Sequence, residues 1–136
     1  MLAHKYHQEE THEDSFEHLL PFLNKLRLEA VECRAHARLD MIEACRLLES
    51  DVDLASEKYA RVLVRVIGQA LNKQMEFLAP YTLQRSFDED WLLRLLDCCQ
   101  RGDMDSYVFL LLRRVPKPKR NSIDQLLKTI AHHPDL

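Results

Sequence analysis

Between Leu19 and Leu48, apolar residues return at steps of three and four without a break: Leu19, Leu23, Leu26, Ala30, Cys33, Ala37, Met41, Ala44 and Leu48. This is the period of an α-helix held for about eight turns. A second row, Leu28, Val31, Ala35, Leu39, Ile42 and Cys45, runs beside the first. The apolar stripe is therefore broader than a coiled-coil seam and needs several neighbours to cover it. Ser15 is placed to cap a short turn holding Phe16, Leu19 and Leu20, and Pro21 suits the first turn of a helix running to about Glu49. Only two glycines occur in 136 residues, Gly68 and Gly102. Sheet-rich folds draw on glycine for turns and bulges, so the scarcity points the same way, to helices with few connections.

The rest of the chain keeps to that plan. Ser50-Asp51-Val52-Asp53 breaks the period with turn formers, and a second long helix is expected from about Leu54 to Ala79, stopped by Pro80. Its apolar side is Ala60, Leu63, Ile67, Leu71, Met75 and Leu78, flanked by Val62, Val66 and Ala70, with Gly68 allowing a close helix crossing. Tyr81 to Arg85 reads as connection. Ser86 and Glu89 have capping-box spacing for a third helix that Gly102 ends, and only Arg94 and Asp97 interrupt its apolar surface. Asp103 caps a fourth helix containing Tyr107, Val108, Leu111, Leu112 and Val115, apolar almost throughout and hence expected to be buried. Pro116 to Lys119 reads as an extended basic link, and Ser122 with Gln125 as the cap of a last helix from Ile123 to about Ala131.

The fold class is therefore all-α: a long antiparallel helical hairpin with three shorter helices packed on it, bundle-like. Residues 1–14 are polar, show no apolar period and read as a flexible tail, and residues 15–136 form one helical domain. At 1.5 Å per residue the two hairpin arms span about 43 and about 39 Å, against a diameter near 37 Å for a compact globule of this size. Projecting arms with apolar stripes call for a second copy of the chain, so a homodimer is expected.

Composition narrows the class of function. Hydrophobic residues at 46% and charged residues at 30% describe an ordinary globular protein. The longest apolar run, Tyr107 to Leu112, is far short of the roughly 20 residues that cross a bilayer, and the N-terminus lacks the basic flank and apolar run of an export signal. Cys33, Cys45, Cys98 and Cys99 lie in apolar helical patterns with no C-x-x-C spacing, which reads as reduced thiols in a cytoplasmic protein without membrane association. Formal net charge is −3 but segregated. The first twenty residues hold five acidic groups against one basic, whereas residues 111–128 hold six basic against one acidic.

The residues offer little chemistry. His4, His7 and His12 with Glu9, Glu10 and Glu13 resemble a metal-ligand cluster, but a mobile tail supplies no rigid second shell. Glu29, Cys33, His36 and Asp40 share a helix edge without the Glu-x-x-His spacing of paired-helix metal sites. There is no phosphate loop, no nucleophile elbow and no zinc-protease motif. No catalytic residue, cofactor or metal is assigned. Two basic features remain as partner-binding candidates: Lys58, Arg61 and Arg65 on one face of the second helix, and Arg113, Arg114, Lys117, Lys119 and Arg120 near the C-terminus. A solvated or protein-docking surface is the favoured reading of both. Nucleic-acid association through the same residues is the disfavoured alternative, and a small metal-binding protein or enzyme the third. A non-enzymatic protein–protein interaction module, regulator or adaptor, is the expectation that results.

Overall fold

A computed structural model of the chain describes residues 17–33, 55–134 and 136. The tail at 1–14, the Ser15 cap, the first helix beyond Cys33 (with His36 and Asp40) and the turn at 50–53 lie outside the described residues. Among those described, every regular element is helical and none is a strand. A 3₁₀ turn, Glu17–Leu19, leads into α1 (Leu20–Cys33). Then come α2 (Ala55–Leu71), α3 (Phe87–Arg101) and α4 (Met104–Arg114). A second 3₁₀ turn, Lys117–Lys119, runs straight into α5 (Arg120–Ala131). No described helix is long and apolar enough to cross a membrane.

The period read from the sequence is the packing observed. Leu19, Leu23, Leu26 and Ala30 of the first row are buried, as are Ala60, Leu63 and Ile67 on α2 with Val62, Val66 and Ala70 beside them. α1 packs on α2, α2 also on α5, and α3 lies between α4 and α5. Lys25 donates to the Ser56 hydroxyl, and the carboxylate of Glu29 meets Arg61 at 3.6 Å, so α1 and α2 are also joined at their polar margin. His18 is bonded to Gln100 at 2.7 Å and ties the first 3₁₀ turn to α3. In the second apolar row, Leu28 and Val31 stay exposed.

α3 forms where local chemistry demands it. The Ser86 hydroxyl accepts from the Glu89 N–H while the Glu89 carboxylate accepts from the Ser86 N–H, satisfying two donors that the helix leaves unpaired. Gly102 ends the helix at φ +78°, where a Cβ would be strained, and its N–H donates back to the Cys98 and Cys99 carbonyls. Asp103 caps α4 through the Ser106 N–H. Only Arg94 within the run 91–99 is exposed.

Four expectations need correction. α2 ends at Leu71, not at Ala79: Asn72 turns into the left-handed region at φ +54°, a conformation that asparagine tolerates, and residues 72–86 are not helical. Met75 is still buried, but from the non-helical segment that follows α2. The shorter arm, about 26 Å for 17 residues, fits within the globule, which removes half of the length argument for a projecting hairpin. Among the described residues Gly68 makes no close helix crossing; a Cβ there would find only the Lys73 carbonyl oxygen, at 3.8 Å. α5 begins at Arg120, not at an Ser122 cap, because the 3₁₀ turn after Pro116 winds directly into it; the link is not extended. And α4 is only half buried. Tyr107 and Leu111 face the core, while Met104, Val108, Phe109 and Leu112 face solvent.

Candidate docking site

The polar centre of the molecule is a charge pair. Arg27 sits among the buried positions of α1 and is 2% exposed; Glu89, on the first turn of α3, is 0% exposed. They form a two-pronged pair, Nε to Oε2 at 2.8 Å and Nη2 to Oε1 at 3.0 Å. Two further guanidinium donors go to the segment between α2 and α3: Nη1 to the Thr82 carbonyl and Nη2 to the Gln84 carbonyl, each at 2.7 Å. Glu89 in turn accepts the N–H of Ser86 at 2.9 Å and of Leu78 at 3.0 Å. Burial pushes the Glu89 carboxyl up, but the hydrogen bonds of Arg27, Ser86 and Leu78 and the Arg27 charge outweigh it, so its pKa lies below the ordinary glutamate value.

A second pair braces the same segment. Asp88 Oδ2 accepts the Glu76 N–H at 2.7 Å and Oδ1 meets Arg114 at 2.8 Å, while the Ser86 hydroxyl donates to the Glu76 carbonyl. Burial raises the Asp88 carboxyl, and the Glu76 N–H, Arg114 and Lys73 bring it below its ordinary value. Arg114 also lies over the rings of Trp91, at 4.6 Å, and Phe87, at 5.8 Å. The Asn24 side chain accepts the Tyr81 N–H at 3.0 Å.

These bonds hold an apolar segment out in water. Carbonyls on either side of Leu83 are gripped by one buried guanidinium, and the Leu83 side chain is 99% exposed. Tyr81 is 76% exposed and Phe87 77%. Tyr81 stands at φ +67°, a region that costs a bulky residue about 1–3 kcal/mol. The bonded carbonyls of Thr82 and Gln84 fix the backbone from which Leu83 projects. Tyr81→Gly is expected to raise stability by about 0.5–1 kcal/mol in urea melts, the relief of strain exceeding the entropy of the freer unfolded chain. A fall in stability would show that ring contacts outweigh the strain.

The sequence-predicted basic residues separate into two kinds. Arg114 is committed to Asp88, Trp91 and Phe87, and Arg120 closes the carbonyl end of α4 by donating to Val115 at 3.0 Å and Leu112 at 3.5 Å. These two belong to the packed structure rather than to a solvated or docking surface. Arg113 lies over Phe109 at 5.5 Å and is exposed, as are Lys117 and Lys119. On α2, Arg61 pairs with Glu29, Arg65 has a buried Nε with no hydrogen-bond partner among the described residues, and Lys58 is half-buried. Arg27, Tyr81 and Leu83 were not signalled by any motif. The one available clue was an arginine on the buried side of an apolar helix.

The described residues offer no competing chemical centre. Cys99 Sγ lies 3.9 Å from His132 Nε2, but burial pushes the Cys99 thiol up, and Cys98 likewise, away from the thiolate that nucleophilic catalysis requires. No group of three or more His, Cys, Asp or Glu gathers to hold a metal among the described residues. Comparison with protein-family models, curated proteins and solved structures finds no match to this chain.

Proposed function

We propose that the chain is a non-enzymatic protein–protein interaction module, a regulator or adaptor, whose docking element is the segment Tyr81–Phe87. The observation that carries this reading is Leu83, wholly in solvent on a backbone that Arg27 grips at both neighbouring carbonyls. Ordering a loop costs roughly 1–2 kcal/mol per residue, and a loop already ordered does not bear that cost at the moment of binding. Leucine and aromatic side chains on such a support suit a partner protein with an apolar cleft.

The reading extends to a cytoplasmic homodimer. The buried free thiols of Cys98 and Cys99 are compatible with a reducing compartment, and exposed Leu28 and Val31 leave α1 an apolar side for a neighbour. Nucleic-acid binding loses ground, because two of the five clustered cations are engaged inside the molecule.

A photo-crosslinking residue at position 83, compared with one at position 119, tests the docking element in extracts of the native cell. Position 83 is expected to give a discrete protein adduct that position 119 does not give. The same background at both positions would overturn the reading. So would binding of duplex or single-stranded nucleic acid below about 1 μM at about 0.15 M salt with a steep salt dependence.

A further inference from the structure

α4 carries two rows of side chains that the core does not use. Met104, Val108 and Leu112, spaced by four, form an exposed apolar row; Asp105, Phe109 and Arg113, also spaced by four, form the row beside it. The second row reads acid, aromatic, base, with Phe109 at its centre and the Arg113 guanidinium over that ring at 5.5 Å. No ion pair holds Asp105 or Arg113 among the described residues, and both side chains are exposed.

We propose that this face pairs with α4 of a second copy of the chain, the helices antiparallel about a two-fold axis at Phe109. A uniformly acidic partner would meet Asp105, and a uniformly basic one would meet Arg113. A second copy turned through the two-fold satisfies both ends together, because Asp105 of each chain then faces Arg113 of the other. Rows at a spacing of four are the ridges that interdigitate when helices cross, and Val108, Phe109 and Leu112 fill the centre. Antiparallel helices also set opposite dipole ends side by side. Two-fold pairing requires a patch complementary to itself, and the Asp-Phe-Arg row has that property. The pairing names a surface for the homodimeric part of the reading above, and it is independent of the segment at 81–87.

Sedimentation equilibrium of the full chain is the test, with far-UV circular dichroism confirming that each variant stays folded. One 11-residue helix face is smaller than the roughly 800 Å² per partner of a standard interface, so a dissociation constant of about 10–100 μM is expected. Phe109→Arg places two like charges at the axis and should weaken the dimer at least about 30-fold. Asp105→Arg and Arg113→Asp should each weaken it about 3- to 10-fold by facing like charges. Combined in one chain, the two exchanges restore opposite charges across the axis, and affinity should return to within about twofold of the wild-type value. A dimer indifferent to Phe109→Arg, or no recovery in the double variant, would overturn the α4 pairing while leaving dimerisation through another face. A monomer at about 0.5 mM would overturn the homodimer as well.

Discussion

Arg27→Met is expected to destabilise the protein by about 3–5 kcal/mol, because it strands a carboxylate that has no exposure to water. Glu89 would keep the N–H groups of Ser86 and Leu78 but lose both prongs of the guanidinium, and the Thr82 and Gln84 carbonyls would lose their donors. The expected response of Glu89 is to take up a proton, which shows in the pH profile. Its folded-state pKa lies below the unfolded value, as does that of Asp88, so each contributes stability that is present above about pH 4.3. That contribution is lost as pH falls through the depressed folded values. Urea melts of the wild type should therefore hold their midpoint from pH 7 to about pH 5 and then decline. In Arg27→Met the part owed to Glu89 should vanish, leaving a shallower acid decline from a lower plateau. Proteolysis should also rise at Arg85, since the segment that Arg27 fixes would be released. A loss under about 1 kcal/mol would show that the pair can be dispensed with.

How much of this was legible depends on whether the deciding contact was local. Ser86 with Glu89, Gly102 and Asp103 act within four residues of themselves, and each does what its spacing implies. The period from Leu19 to Ala30 was equally readable, because burial of one helix side writes itself into the sequence. The end of α2 was not. Leu71, Met75 and Leu78 continue the helical period, yet the N–H groups of Glu76 and Leu78 are claimed by carboxylates of α3, eleven or more residues ahead. Arg27 finds Glu89 62 residues away, and nothing near Arg27 announces it. α4 misled for another reason. A run such as YVFLLL states that the side chains are apolar, not that the fold has enough neighbours to cover them on every side, and the uncovered residues are the ones on which the self-pairing rests. The basic segment was readable as charge but not as allegiance, since only tertiary packing reveals that Arg114 and Arg120 serve the fold while Arg113 does not.

Leu96→Ala should cost about 2–5 kcal/mol, through the lost transfer energy of the side chain and the cavity left where the helices cannot close up. Leu96 is 0% exposed on α3, the helix that packs against both α4 and α5, so the deletion falls in the buried core. The same chemical change at Leu83 provides the contrast. That side chain already lies in water, and Leu83→Ala should stay within about 0.5 kcal/mol. Measured together by urea denaturation at pH 7, the two substitutions separate what the core requires from what the surface displays. A large loss at Leu96 with none at Leu83 leaves the exposed leucine without a role in stability, which is what the proposed docking role requires of it. Equal losses at both positions would mean that Leu83 is covered in solution, and the docking segment would then be part of the core.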